Sequence, residues 1–410
     1  MRSDKYKKRN AAKAAKEARK SKSGRRKYSK EDDDFFAGFD ELDNDEPIKT
    51  KKSSKKARRR GGKTPTKRKK TVKTVIICLV LLLLALSAGA YIFMTHKLSK
   101  MDYVDTGSVE WCIDDRVAEE LKDYRNFAVL GVDARDMESY DGSNNDAIII
   151  VSLNKKTDKI KMISVMRDSY LLVDKKQQDD LYLTKITHAH AIGGGVWTCR
   201  ALNRNLDLNI EEFAIFNWKA VADLVDAVGG VTVEVEGNEI NDFNHYGQET
   251  AEKVGGTFSA ISYPGEYDLD GIQAATYCRI RKTSGGDSQR AERMKKVMTA
   301  IFKKAKTMDL STLNNIADEM LPEIRTNIKS GSMLKLMAGI KGYELNGNEG
   351  FPYKYAGGMY HGGWYAVPQT LKSNVKELHK KAFKQKKYRP TQTVREINEM
   401  IINDTGVTLP

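Results

Sequence analysis

Five groups of charged residues carry the chemistry open to this chain. They are Gly131-Val132-Asp133-Ala134-Arg135; Asp146; Arg167-Asp168-Ser169; Lys185 with Gly193-Gly194-Gly195 after it; and Arg279-Ile280-Arg281 followed by Asp287 and Arg290. Asp133 closes one apolar run and Asp146 precedes another, which puts both carboxylates at one edge of a sheet with a loop between them. Two carboxylates with no His or Cys beside them suit a hard cation such as Mg²⁺, completed by oxygens of a ligand. Asp after Gly-Val and Asp before a strand are also ordinary turn and cap residues. In an extended segment Arg279 and Arg281 face the same side, and Arg290 falls on the first turn of the next helix. Guanidinium groups converging there can clamp a pyrophosphate through paired, charge-assisted hydrogen bonds. An arginine pair on a solvated face has the same sequence appearance.

These groups need a scaffold, and the sequence predicts one from residue 124 onward. Residues 126–132, 147–153 and 159–165 are short runs rich in Val and Ile, the pattern of strands buried on both faces. Residues 186–205 read as helix around the glycine triplet, 213–216 as a strand, 219–228 as a helix closed by Gly229 and Gly230, and 231–235 as another strand. Helices follow at 270–278 and 287–306, helical character continues through 309–343, and 353–365 is rich in Gly and Tyr. A closing helix is expected at 370–383 and a short appended one after 387. The implied architecture is an α/β sandwich with a central mixed sheet flanked by helices. The charged groups sit at strand ends and helix starts, where sheets of this kind bind ligands.

What precedes the scaffold is of another kind. The chain carries a net charge of +15, but residues 1–73 hold 28 Lys and Arg against 11 Asp and Glu, a net +17 that leaves −2 for everything after them. The strong positive charge therefore belongs to a tail that reads as disordered, and the folded part is nearly neutral. Thr74 to Thr95 contains no charged residue and, at 1.5 Å per residue, spans roughly 33 Å as a helix, enough for the hydrocarbon core of a bilayer. The long charged region before it argues against a cleaved signal peptide. Lys67 to Lys70 and Lys73 hold the N-terminus on the cytoplasmic side and face anionic lipid head groups. The expected organisation is a cytoplasmic tail 1–73, a transmembrane helix 74–95, a linker 96–123, an extracellular catalytic domain 124–385 and an appended segment 386–410. Cys112, Cys199 and Cys278 fit one disulfide plus a thiol, or three thiols; no spacing suggests zinc.

Taken in order, Gly131 to Arg135 with Asp146, Val165-Met166-Arg167-Asp168-Ser169, Lys185 with Gly193-Gly194, Val225-Asp226-Ala227-Val228-Gly229-Gly230-Val231, Asp270-Gly271 and Tyr277-Cys278-Arg279-Ile280-Arg281 resemble the successive signatures of the LytR-CpsA-Psr family. The resemblance spans roughly residues 124–306. It implies a phosphotransferase of Gram-positive cell walls that moves an anionic glycopolymer, of teichoic acid or capsule type, from a polyprenyl-pyrophosphate carrier to peptidoglycan. It further implies that Asp133 and Asp146 hold Mg²⁺ on the pyrophosphate, that Arg135, Arg167, Arg279, Arg281 and Arg290 meet its oxygens, and that Lys185 adds a cation. Asp168 is then either a base or a partner that orients Arg167. The polyprenyl tail would need a dry groove, for which Ile192, Val196, Val221, Leu224, Val225 and Ile272 are candidates. One position departs from the pattern: the family carries Gln four residues after the arginine matching Arg290, and here stands Met294.

Two other readings remain at this stage. One is a protein that binds polyprenyl pyrophosphate or peptidoglycan without chemistry, which the loss of that Gln would allow. The other is an envelope-linked regulator. Direct binding of nucleic acid is not expected, because the chain has no helix-turn-helix and the domain is nearly neutral.

Overall fold

The computed structural model describes residues 101–408 apart from 135–139, 141, 176–179 and 282–285. The tail and the apolar run 74–95 lie outside the described residues. Among the described residues no helix is long and apolar enough to cross a membrane.

The core is a seven-stranded mixed sheet in which Tyr124–Val132 occupies the centre. On one side it pairs antiparallel with Asn145–Asn154, which pairs antiparallel with Lys159–Val165; Glu344–Phe351 then adds parallel at that edge. On the other side Glu212–Phe216 runs parallel to it, followed by the two-residue strands Arg325–Thr326 and Asp102–Tyr103. The side-chain period of two divides the central strands between two cores. Ala128, Leu130, Val132, Ile148 and Ile150 face the helices Thr187–Leu206, Leu371–Ala382 and Gln392–Thr405, while Ile149, Val151 and Leu153 face Trp218–Ala227, Gly271–Arg279 and Gly286–Thr307. The sandwich expected from the sequence is therefore present, with its sheet covered on both faces.

Several expectations change in detail. Val231–Val235 is a strand, but it forms a separate hairpin with Gly265–Leu269 outside the central sheet. A hairpin of Tyr170–Asp174 with Leu181–Lys185, the helix Ile240–Val254 and the edge strand Glu344–Phe351 were not anticipated. The Gly- and Tyr-rich stretch is the hairpin Tyr355–Tyr360 with Gly363–Pro368. The terminal helix Gln392–Thr405 is no loose appendage: Val394, Ile397 and Ile401 are buried in the first core. The Asp207 carboxylate docks its start by accepting from the Tyr388 hydroxyl at 2.8 Å, the Thr391 amide at 2.8 Å and the Thr391 hydroxyl at 2.6 Å. Part of the presumed linker is also integral, since Asp102–Tyr103 extends the sheet and Val117 is buried.

Two of the glycine signatures prove to be packing devices. Gly193 and Gly194 leave helical geometry inside Thr187–Leu206, Gly194 with φ of 61°, and so kink that helix. Gly271 lies so close to the Trp218–Ala227 helix that an added Cβ would stand 2.2 Å from the Ala222 carbonyl oxygen. The Gly271 amide donates to Asp226 at 2.7 Å, which locks the two helices together.

Candidate active site

The sheet topology gathers the charged groups at one end. Tyr124–Val132, Lys159–Val165 and Glu212–Phe216 all point the same way, so Asp133, Arg167 and Trp218 emerge from their carboxyl ends. Asp146 reaches the same end by a β-bulge. Gly131 pairs with Ala147 and Val132 with Asn145, which leaves Asp146 as the extra residue of its strand. A bulge bends the strand and re-aims the side chain at that position, and here it turns a carboxylate toward the site. The sequence places Asp146 ahead of the strand; the correction is that it lies within it. Gly131 permits the close pairing, because an added Cβ would come within 3.0 Å of the Ala147 Cβ.

Three arginines converge on Asp146. Arg167 donates to Oδ1 at 2.6 Å, Arg290 donates to Oδ2 at 3.2 Å and to the Asp146 carbonyl at 2.8 Å, and Arg281 donates to Oδ2. Asp146 and Arg290 are almost fully buried, whereas the Arg281 side chain is 43% exposed. Arg279 turns to the neighbouring helix, donating to Thr250 Oγ1 at 2.6 Å and to Glu249 Oε1 at 2.8 Å. It is the last residue of Gly271–Arg279 rather than part of an extended segment, so helix end and turn, not strand alternation, bring it beside Arg281. Asp133 accepts from Trp218 Nε1 at 3.0 Å and faces Lys253 Nζ at 3.4 Å. Asp133, Asp146, Trp218, Tyr246, Glu249, Lys253, Arg279, Arg281 and Arg290 line one cavity of about 200 Å³.

Asp168 and Lys185 stand one step behind this cavity. Asp168 is buried, pairs with Lys185 at 2.6 Å and approaches Arg167 Nε at 3.5 Å. This arrangement orients Arg167 and leaves Lys185 occupied. Arg135 and the Asp287 side chain lie outside the described residues.

Residues that sequence reasoning missed hold the site's shape. The helix Ile240–Val254 contributes Tyr246, Glu249 and Lys253, whose spacing of three and four sets them on one face. Hydrogen bonds from Arg279 and Lys253 hold the Glu249 carboxyl below the usual range, so it is ionised at neutral pH. Arg293, also buried, donates to Glu239 at 2.6 Å and to the Ile280 carbonyl at 3.1 Å, fixing the turn that delivers Arg281. The signal for the missed helix was present in the spacing of Glu249 and Lys253 and in Gly255-Gly256, where Gly255 adopts a left-handed conformation to end it.

An apolar cavity of about 120 Å³ lies against the polar one, lined by Val129, Ala147, Ile149, Val221, Leu224, Met294, Val297, Met298 and Ile301 among others. Trp218 borders both cavities. Of the expected groove residues Val221 and Leu224 line it. Val225 is buried in the second core, while Ile192 and Val196 pack on the opposite face of the sheet. Met294 is buried in the apolar wall, and Gln289 is tied to Arg293 at 3.1 Å. Cys112, Cys199 and Cys278 are free thiols, and burial pushes that of Cys278 up to about 12.

The donor set bears on a cation. Among the described residues no three His, Cys, Asp or Glu side chains come together as a protein-only metal cage. Asp133 and Asp146 face the same cavity as Glu249, however, and Asp133 is 47% exposed there. The residues fit a hard cation that takes its remaining oxygens from water and from a bound anion.

Comparison with known proteins identifies the family of the chain. Residues 90–382 match the LytR_cpsA_psr family. The chain is 30% identical over 301 residues to the polyisoprenyl-teichoic acid–peptidoglycan teichoic acid transferase TagT of Bacillus subtilis strain 168, covering 71% of this chain and 88% of that protein. It is 30% identical over 245 residues to the Biofilm regulatory protein A of Streptococcus mutans, covering 55% of this chain and 58% of that one. Among solved structures the Streptococcus agalactiae protein gbs0355 superposes with a TM-score of 0.55 at 24% identity, over 67% of this chain and 92% of that chain, a likeness of fold.

Proposed function

From the premise that this chain belongs to the LytR-CpsA-Psr family, we propose that it is a phosphotransferase that moves an anionic glycopolymer from a polyprenyl-pyrophosphate carrier to peptidoglycan. The observation that carries the reading is the pairing of two cavities at Trp218. One is polar, with cations in excess; the other is apolar. A pyrophosphate attached to an isoprenoid has that same polarity, an anionic head on a hydrocarbon tail.

In this reading Arg279, Arg281 and Arg290 bind the phosphate oxygens, and Arg167, held by Asp168, supports them from behind Asp146. Lys185 serves by fixing Asp168, and Arg135, outside the described residues, would be a further cation for the head group. Phosphoryl transfer asks little covalent chemistry of a protein; positioning and the neutralising of charge on the transferred group supply most of the acceleration. The acceptor hydroxyl attacks the phosphorus bonded to the glycan, and the bond to the carrier's other phosphate breaks. The arginines stabilise the charge that gathers on the leaving polyprenyl phosphate. Asp133 and Asp146 would hold Mg²⁺, which when bound supplies Lewis-acid neutralisation at the phosphate oxygens. The apolar wall would take the first isoprene units, each buried methylene adding about 0.8 kcal/mol. The uncharged run 74–95 would anchor the domain at the outer face of the cell membrane, with the N-terminus in the cytoplasm.

The test is transfer of a short glycan from a polyprenyl-pyrophosphate donor to a peptidoglycan oligomer by the full chain in detergent, with Mg²⁺ and with chelator. Transfer that the chelator stops supports enzyme and metal together. Donor binding without transfer would turn the reading to a carrier-binding protein.

A further inference from the structure

We infer that Lys253 is a tethered cation that pairs with Asp133 and excludes a divalent metal until the anionic donor arrives. This rests on the reading of Asp133 as a metal-holding carboxylate and extends it to a residue which that reading leaves without a role.

The helix Ile240–Val254 buries Phe243, Gly247, Thr250 and Ala251 and turns Tyr246, Glu249 and Lys253 to the cavity. Lys253 lies in its last turn, where the helix dipole favours a positive charge. Its ammonium stands 3.4 Å from each oxygen of Asp133 and 3.2 Å from Glu249 Oε1. Equal approach to both carboxylate oxygens is the seat a chelated cation would take. At 3.4 Å the contact is longer than a well-formed N–H···O bond. Charge rather than a directional bond holds it, and a flexible four-carbon stem lets it leave.

The rest of the cavity follows the same rule. Asp146 is covered by Arg167, Arg281 and Arg290, and Glu249 by Arg279 and Lys253. Each acid lining the cavity is thus neutralised by a base from this chain. An entering pyrophosphate offers the bases a better partner, and only then are Asp133 and Asp146 free to face a metal. The order that follows is anion with or before cation, never cation alone.

Mn²⁺ binding to the full chain in detergent, followed by the electron paramagnetic resonance of the free ion without donor or acceptor, tests this. Lys253→Met should bind Mn²⁺ about tenfold more tightly than wild type, since removing a positive charge beside the seat removes the competitor. Lys253→Arg, which keeps the charge, should match wild type. Adding Asp133→Asn to Lys253→Met should abolish the gain, which separates this seat from carboxylates elsewhere in the chain, such as those between residues 31 and 46. A Lys253→Met chain that binds no better than wild type at millimolar Mn²⁺ overturns the inference, as does a gain that survives Asp133→Asn. Because no glycan enters the experiment, its outcome is independent of whether transfer is observed.

Discussion

Two places among the described residues set several arginines on one aspartate, and they differ in what surrounds them. Asp174 receives Arg204 at 2.9 Å on both oxygens and Arg200 at 3.1 Å, and its carboxylate is fully buried. Arg200 spends its other end on the Glu110 carbonyl and Arg204 touches the Cys112 thiol at 3.1 Å, so the group ties Tyr170–Asp174 to Thr187–Leu206; both arginines edge a cavity of about 410 Å³, but their side chains are only 7% and 10% exposed. Asp146 has one more arginine, and Arg281 stands half in solvent beside a cavity that Arg279 and Lys253 also line. Arginines around a carboxylate do not by themselves make a site. What sets the Asp146 group apart is a half-exposed arginine, Arg281, with two further cations, Arg279 and Lys253, on the same cavity wall.

The sharpest way to break that contrast is to delete from each group in turn. Arg281→Ala should lower transfer by about 10²–10³-fold, the usual cost of one donor aimed at developing charge. Its denaturation midpoint should stay near wild type because the side chain is half exposed. Asp133→Ala and Arg279→Ala should abolish transfer in the same assay, and activity of either at the wild-type level would sink the site assignment. Asp174→Ala should do the reverse. It strands two buried guanidinium groups and should cost about 3–5 kcal/mol in urea denaturation while the folded fraction keeps its turnover.

Acid sharpens the comparison further. Burial alone pushes the Asp174 carboxyl up, but the hydrogen bonds and charge of Arg204 and Arg200 together outweigh it and hold it below the ordinary carboxylate range. A folded-state value below the unfolded one means the contribution to stability is full above the unfolded value of about 3.9. It is lost as pH falls through the folded value. Urea midpoints measured from pH 5 to pH 3 should therefore fall less steeply for Asp174→Ala than for wild type.

How far the sequence carries this picture follows from where the energy lies. The three central strands were legible because they are buried on both faces and read as unbroken Val- and Ile-rich runs, with 159–165 recovered to the residue. The helix Ile240–Val254 was not, since Asn, His, Gly and Glu fill it and its apolar stripe is thin; tertiary contacts with its neighbours, not propensity, hold it. The edge strand Glu344–Phe351 is polar and takes its conformation from its pairing with Lys159–Val165. At the site, the residue types of Asp133, Asp146, Arg279, Arg281 and Arg290 were legible. The bulge at Asp146 and the helix-end position of Arg279 were not, because both are set by register and packing. The order of the sequence likewise could not reveal that Lys185 is spent on Asp168.

The apolar cavity offers a smaller effect. Val221→Trp would fill much of a space of about 120 Å³. Losing even two buried methylenes of the donor, about 1.6 kcal/mol, should raise KM roughly tenfold for a long-chain donor and leave a donor with a truncated isoprenoid nearly unchanged. Equal effects on both donors would remove the tail from this cavity.

Met294 tests the seam between the two cavities and should give the smallest change of all. It is buried beside Ile149 and Val297 in the apolar wall, and it also borders the space next to Asp146, Arg167 and Arg290. Met294→Gln would place an amide where one side is hydrocarbon and the other is charged. If the amide meets only hydrocarbon, burying it unpaired should cost about 1–3 kcal/mol. Its neighbours Arg167 and Arg290 already donate to Asp146, so the amide oxygen competes for hydrogen bonds that are in use. The expected outcome is a lowered urea midpoint with kcat within tenfold of wild type. A rise in kcat beyond that, at unchanged stability, would show that the seam belongs to the polar site and that the phosphate lies closer to Met294 than to Arg279.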